Sequence, residues 1–149
     1  MSHFFVDTNV LLDFIMRRAP FATAAAELFQ LAEDRKIWLY CSSLSFSQAH
    51  YVLRKVAGTA KSLDLLTDIA DIVTIIAVDS RNVNDALRSS FPDFEDALQY
   101  FAATAEAEGA VLVSEPAIEA IVTRDPKGFA AGTLPVLTQP QALALLGSY

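Results

Sequence analysis

The sequence contains one cysteine, Cys41, two histidines and no long hydrophobic run. A single cysteine cannot form an internal disulfide, and His3 and His50 are too few and too far apart for a zinc site. The apolar runs are shorter than a membrane-spanning helix, and the N-terminus lacks the basic and then hydrophobic pattern of a secretion signal. We therefore expect a cytoplasmic protein without a membrane segment, in which Cys41 fills apolar space.

Positive charge is also scarce, because 11 Lys and Arg against 18 Asp and Glu give a net charge of −7. This balance argues against broad attraction to nucleic acids. It does not exclude a nucleic-acid substrate, because a metal ion would neutralise any acids clustered around it. The 149 residues are 53% hydrophobic and 19% charged, as in a globular chain. We expect a single domain over residues 1–149, with part of its apolar surface covered in a homodimer.

Strand and helix patterns alternate along the chain, which predicts an α/β fold. The predicted strands cover residues 3–7, 37–41, 73–78, 119–123 and 134–137. The predicted helices cover residues 22–33, 43–56, 59–70, 80–88, 94–108 and 141–146. The segment from Ala110 to Ala117 is hard to assign, and its residues 110–113 allow an extra strand that Pro116 would end.

The most informative motif is the opening run from Phe4 to Val10, in which a short apolar strand ends at Asp7. In a parallel sheet this aspartate would emerge at the carboxyl end of its strand, where open α/β sheets bind their ligands. A carboxylate there is costly unless a cation meets it, and a divalent metal ion is the usual cation. The alternative is that Asp7 or Thr8 only caps the next helix.

Two further acidic motifs lie downstream. Asp93, Glu95 and Asp96 fall in the first turn of a predicted helix, and Asp125 ends another apolar strand. Each has a simpler explanation: first-turn acids stabilise a helix dipole by about 0.3–1 kcal/mol, and an aspartate before proline often begins a turn. With Asp7, however, the three motifs together favour a site for Mg²⁺ or Mn²⁺, which prefer oxygen ligands.

Two phosphate-handling motifs are incomplete in this chain. The run Gly58 to Ser62 is similar to the end of a P-loop, but Lys55 and Ala60 stand where its glycines must be. The run Asp7 to Asn9 is similar to a phosphoaspartate phosphatase motif, but that motif normally has a second acid at the position of Asn9. Neither motif therefore predicts the function.

With these residues identified, the chain resembles the PIN domains, a family of small metal-dependent nucleases, and especially the VapC-like toxin ribonucleases. The resemblance covers nearly the whole chain and rests on three motifs in order: Val6 to Asp13, Asp93 to Tyr100, and Ile121 to Asp125. It implies a three-layer α/β/α sandwich around a central parallel sheet. It also implies hydrolysis of single-stranded RNA with Mg²⁺ or Mn²⁺, and pairing with a small antitoxin protein.

The resemblance also assigns roles to individual residues. The metal ligands would be Asp7, Asp96 and Asp125, with polar support from Asn9 and Thr123. Among the basic residues, Arg124 and Lys127 flank Asp125 and are placed to meet the phosphate of a substrate, whereas we expect Arg17, Arg18 and Lys61 to lie on a solvated surface.

The chain departs from the family at Gln48, where an acid usually stands three residues before a Tyr-Val-Leu-like stretch. Either Glu95 supplies the missing carboxylate or the activity is reduced. The leading interpretation is a Mg²⁺-dependent endoribonuclease, the toxin of a type II toxin–antitoxin pair. The alternative, which Gln48 favours, is a PIN-fold module with impaired catalysis that binds RNA or a protein partner.

Overall fold

The computed structural model describes residues 1–113 and 118–147 of the chain, with the side chains of residues 1–104 and 118–147. In this part the strands are β1 (Ser2–Val6), β2 (Ile37–Ser42), β3 (Thr74–Ile76), β4 (Ala120–Val122) and β5 (Val136–Leu137). The helices are α1 (Thr8–Met16), α2 (Ala22–Glu33), α3 (Ser43–Ala57), α4 (Thr59–Ile72), α5 (Ser80–Leu87), α6 (Phe94–Val113) and α7 (Gln139–Leu145). A 3₁₀ turn covers Pro126–Phe129.

The five strands form one sheet in the order β3-β2-β1-β4-β5, and every neighbouring pair is parallel. The chain moves outward from β1 to β3 and then crosses back to place β4 on the other side of β1. The strand order therefore reverses between β1 and β4, and a crevice at the carboxyl ends of these two strands is where open α/β sheets bind ligands.

Alternate residues of the central strands enter opposite cores, as the two-residue period of a strand requires. Phe4 and Val6 of β1 pack into a core with residues of α1, α2, α4 and α7. Phe5, which lies between them, packs into a second core with Tyr100 of α6 and Phe129 of the 3₁₀ turn. Helices thus cover both faces of the sheet, which confirms the predicted three-layer α/β/α sandwich with a central parallel sheet.

The predicted end of α6 near Gly109 is wrong, because the helix continues to Val113. The extra strand considered for residues 110–113 is therefore wrong as well. A glycine inside a helix costs only about 0.5–1 kcal/mol relative to alanine, a cost that the flanking helix-forming residues can offset. The rest of that segment, residues 114–117, lies outside the described residues.

Burial confirms the prediction for Cys41, which is fully buried in the core. Burial also raises the pKa of its thiol to about 12. Within the described ranges, no helix combines the length and the apolar character needed to cross a membrane.

A buried ion pair joins α1 to the segments around it. Asp13 is fully buried, and its Oδ1 lies 2.9 Å from Arg18 Nε and 3.4 Å from Arg124 Nη1. Gln139 Nε2 donates a hydrogen bond to Asp13 Oδ2 at 2.9 Å, and the Arg124 guanidinium lies 4.5 Å from the centre of the Phe21 ring. The expectation that Arg18 lies on a solvated surface is wrong, because its guanidinium group pairs with the buried carboxylate of Asp13.

We predict that Asp13→Ala lowers the free energy of unfolding by about 3 kcal/mol, because it leaves two arginines and Gln139 without their common acceptor. Both arginines are partly exposed, so their charges can turn toward water, which keeps the loss near the lower end for buried ion pairs. Urea unfolding measures the change. Asp64→Ala, which removes an exposed acid from α4, is the control and should change stability by less than about 0.5 kcal/mol. Equal stability of the two variants would contradict the prediction.

Candidate functional site

Asp7 leaves the end of β1 with its carboxylate held by neutral donors. Its Oδ1 accepts a hydrogen bond from the Thr8 backbone N–H at 2.8 Å and caps α1. Its Oδ2 accepts a hydrogen bond from Thr123 Oγ1 at 3.0 Å, and Thr123 Oγ1 also accepts one from the Asp125 backbone N–H at 3.1 Å. Asp7 therefore both caps α1 and lies at the crevice, and Thr123 links the ends of β1 and β4.

Asp96 and Asp125 meet at Gly128 in the 3₁₀ turn after β4. A Cβ atom added to Gly128 would lie 2.5 Å from Asp96 Oδ2 and 3.9 Å from Asp125 Oδ2. Both carboxylate oxygens thus border the same small space, which only a residue without a side chain leaves open. Sequence reasoning missed Gly128, and the signal for it was a glycine three residues after Asp125, the acid that follows β4.

The carboxylates at this edge repel one another. Burial and then the charges of Asp7, Asp93, Asp125 and Glu95 raise the pKa of Asp96 to about 7. Burial is also the main cause that raises the pKa of Asp7, with Asp125 and Asp93 adding to it while the hydrogen bonds from Thr8 and Thr123 oppose it. Such an excess of negative charge is what a bound divalent cation would neutralise.

The donor set suits a hard cation, because it consists of oxygen atoms alone. Within the described residues, however, no three acidic, histidine or cysteine side chains form a complete group able to hold a metal ion. The structure brings Asp7 to Asp125 through Thr123, and Asp96 to Asp125 at Gly128, but it does not close the three carboxylates into one coordination set. The residues fit Mg²⁺ or Mn²⁺ by charge and donor type.

Gln48 lies directly at this site, between α1 and α6. Its Nε2 donates a hydrogen bond to Glu95 Oε2 at 2.8 Å, and its Oε1 accepts one from Thr8 Oγ1 at 2.6 Å. Behind it, the buried Gln99 donates to Thr8 Oγ1 at 3.0 Å and to Ser45 Oγ at 2.8 Å. Sequence reasoning missed Gln99, whose signal was a lone amide between the apolar residues of α6.

Asn9 and Arg124 lie toward the Asp13 ion pair. Asn9 Oδ1 lies 3.3 Å from Arg18 Nη2 and 3.5 Å from Arg124 Nη2. The Arg124 charge is thus paired with Asp13 in this structure, and its contact with a phosphate stays a prediction. Asn9 also lines the cavity described in the next paragraph. Its predicted role as polar support of the site stays a prediction.

A cavity of about 590 Å³ opens beside the acids. Its lining combines the acids Asp7, Glu95 and Asp96 and the amides of Gln48 and Gln99 with the apolar or aromatic side chains of Leu12, Leu44, Tyr51 and Val52. A second cavity, of about 600 Å³, is lined by residues of α1, α2, β2 and α4, and the candidate acids do not line it. The first cavity is the candidate site because it combines the crevice with the pKa shifts of its acids.

Comparison with known protein families identifies the family of this chain. A model of the PIN domain matches residues 3–127, and the chain therefore belongs to the PIN-domain family. A comparison with curated protein sequences gave no match.

Solved structures of VapC toxins share the fold. VapBC2 from Rickettsia felis, bound to a DNA fragment from its promoter, has 17% identity and a TM-score of 0.63, over 92% of this chain and 98% of that one. VapC20 from Mycobacterium tuberculosis, a toxin that cleaves the sarcin–ricin loop, has 15% identity and a TM-score of 0.63, over 88% and 96%. DNA-bound VapBC from Salmonella typhimurium has 14% identity and a TM-score of 0.57, over 93% and 99%. At these identities the likeness concerns the fold.

We predict that Asp96→Asn stabilises the metal-free protein at pH 8. The pKa of Asp96 is raised from 3.8 to about 7 in the folded state, so its ionisation opposes folding. This loss of stability is absent below the unfolded pKa, grows as the pH rises from about 4, and is complete above about 7. Melting curves in EDTA should therefore show a gain at pH 8 that disappears toward pH 4. Asp64→Asn is the exposed control, and a gain independent of pH would contradict the assignment.

Proposed function

We propose that this protein is a Mg²⁺- or Mn²⁺-dependent endoribonuclease that cleaves single-stranded RNA as the toxin of a type II toxin–antitoxin pair. The observation that carries the proposal is the group of mutually repelling carboxylates in the crevice between β1 and β4 of a PIN domain. The neighbouring folds support it, because one belongs to a toxin that cleaves the sarcin–ricin loop and two belong to VapBC proteins.

In this proposal Asp7, Asp96 and Asp125 hold the divalent cation. When bound, the cation neutralises charge on the scissile phosphate and lowers the pKa of a water molecule. The chain itself fixes the Asp7 carboxylate through the Thr8 N–H and the Thr123 hydroxyl, which leaves little freedom for its rotation.

Glu95 is the residue that we propose to accept the proton of the attacking water. Its carboxylate is exposed at the start of α6, and the hydrogen bond from Gln48 Nε2 fixes one of its oxygens. Glu95 also lines the cavity that contains Asp96. In-line attack on phosphorus then breaks the bond to the leaving ribose oxygen, which takes up a proton from solvent water.

The second candidate function is an RNA- or protein-binding module with impaired catalysis. Two observations favour it: Gln48 carries no charge, and the described acids do not form a complete metal-binding group. Binding of RNA without any cleavage in Mg²⁺ or Mn²⁺ would support this function over the first.

The partners proposed for the toxin are an antitoxin and a second copy of the chain. The antitoxin is suggested by the VapBC proteins among the neighbouring folds. For the homodimer, the edge strand β3 and the adjacent α5 present Ile75, Val83 and Leu87 with 46%, 37% and 65% exposure. Covering these apolar side chains with a second copy would remove them from water.

We predict that single-stranded RNA is cleaved with Mg²⁺ or Mn²⁺ and that EDTA stops the cleavage. Asp7→Asn should lower the rate by about 100-fold or more, because it removes a ligand charge that contributes several kcal/mol to the transition state. Asparagine can still cap α1, and burial raises the pKa of Asp7, so the metal-free variant should melt at the same temperature as the wild type or higher. A gel assay with labelled RNA measures the rates.

The matched control is Asp64→Asn, which makes the same chemical change on the exposed face of α4. Cleavage that survives EDTA would indicate a contaminating metal-independent ribonuclease or a different mechanism. Equal rates for Asp7→Asn and Asp64→Asn would exclude Asp7 as a ligand.

We predict that Gln48→Glu makes the protein more dependent on Mg²⁺. The new carboxylate would lie at hydrogen-bonding distance from Glu95, where Gln48 Nε2 now donates at 2.8 Å, and the two like charges would repel. The melting temperature in EDTA should fall, and the rise on adding Mg²⁺ should exceed that of the wild type. Gln30→Glu on α2 is the isosteric control. If Mg²⁺ raises the melting temperature of the variant and of the wild type equally, residue 48 does not contact the cation.

A further inference from the structure

Tyr51 is an aromatic side chain in the candidate cavity that the proposed chemistry does not use. It lines the same cavity as Asp7 and Asp96, and 55% of its surface is exposed. A single exposed tyrosine is ordinary on a protein surface. This one differs because it stands beside a proposed phosphate site and carries two cations on its ring.

Lys55 Nζ lies 3.9 Å from the centre of the Tyr51 ring, and Arg54 Cζ lies 5.2 Å from it. Both are cation–π contacts. The protein as a whole carries a net charge of −7, so a polyanion would be repelled by most of its surface. Two cations beside an exposed ring that lines the cavity form a local surface that suits a phosphate next to a base.

The face of α3 leads from the acids to this ring. Gln48, Tyr51 and Lys55 are three and four residues apart and therefore lie on one face of the helix. Gln48 marks the inner end, because it donates to Glu95 at 2.8 Å. With a rise of about 1.5 Å per residue, Tyr51 is about 4.5 Å and Lys55 about 10 Å further along the helix axis. The Lys55 side chain lies back along this face, because its Nζ is 3.9 Å from the centre of the Tyr51 ring, so a strand that leaves the acids along α3 reaches the ring and the ammonium group together.

We infer that Tyr51 stacks on a base next to the scissile phosphate, and that Lys55 and Arg54 contact the phosphate that follows, so that this face of α3 selects single-stranded RNA. Unpaired bases present a face on which an aromatic ring can stack, whereas bases inside a duplex are already stacked on their neighbours. This inference rests on the proposed function and adds to it the means of substrate selection.

The test uses the full chain carrying Asp7→Asn, so that RNA stays intact while its binding is measured. Fluorescence anisotropy reports the Kd of a labelled 12-nucleotide single-stranded RNA of mixed sequence and of the same sequence as a duplex. Tyr51→Ala should weaken single-strand binding about tenfold and leave duplex binding unchanged, while Tyr51→Phe keeps the ring and should bind like its parent. Trp38→Ala, which removes an exposed aromatic outside the cavity, is the control.

Salt dependence tests the cations separately. Lys55→Ala should reduce the slope of log Kd against log salt by about 0.7, the value for one phosphate contact of a single strand. Lys36→Ala, at an exposed position before β2, should leave the slope unchanged. In the otherwise wild-type chain, Tyr51→Ala should raise KM with little change in kcat, which a general loss of structure would not do. Unchanged melting temperatures accompany these results.

Several results would overturn the inference. Equal single-strand affinity for Tyr51→Ala and its parent would do so, as would equal weakening toward single-stranded and duplex RNA. Weakened binding to an antitoxin with RNA binding unchanged would assign the face to a protein partner instead. RNA binding without cleavage by the wild type contradicts the proposed catalysis alone, whereas a wild type that does not bind RNA contradicts both proposals.

Discussion

The mutual repulsion of carboxylates at the crevice between β1 and β4 is the constraint around which this structure is built. Asp96, whose pKa is raised to about 7 by burial and then by the charges of its neighbours, is held where its own charge is unfavourable. The fold keeps these groups in place with neutral donors: the Thr8 N–H and the Thr123 hydroxyl satisfy the oxygens of Asp7 without cancelling its charge. Under the proposed function a bound cation would neutralise this charge, and its binding would then be linked to the stability of the fold.

The contrast with Asp13 shows that this arrangement is specific. Asp13 lies six residues after Asp7, on the helix α1 that Asp7 caps, and is even more deeply buried. Its charge is met by Arg18 and Arg124, both part of the fold, so nothing external is needed. One acid of the helix is thus compensated inside the protein and the other is not. The uncompensated acid is the better candidate for chemistry, because structural acids are normally paired.

Much of the architecture could be predicted from sequence, because the local signals agree with the fold. The β1 motif places Asp7 at a strand end, and helix α2 has the predicted bounds of residues 22–33. The end of α6 could not be predicted, since Gly109 indicates a helix end but the helix continues through it to Val113. The contacts of Arg124 and Gln99 could not be predicted either, because they join residues about 50 to 115 positions apart and depend on how helices pack around the crevice.

The departure at Gln48 has a physical explanation in its contact with Glu95. The two side chains meet at 2.8 Å, a distance at which two carboxylates could not both be ionised without a cation between them. An amide at position 48 removes that conflict and offers a donor that orients the remaining acid. The acid itself stands in the first turn of α6, where the positive end of the helix dipole favours negative charge. A carboxylate thus remains beside the crevice, supplied by α6 instead of α3, and this arrangement argues for a relocated acid over a lost one.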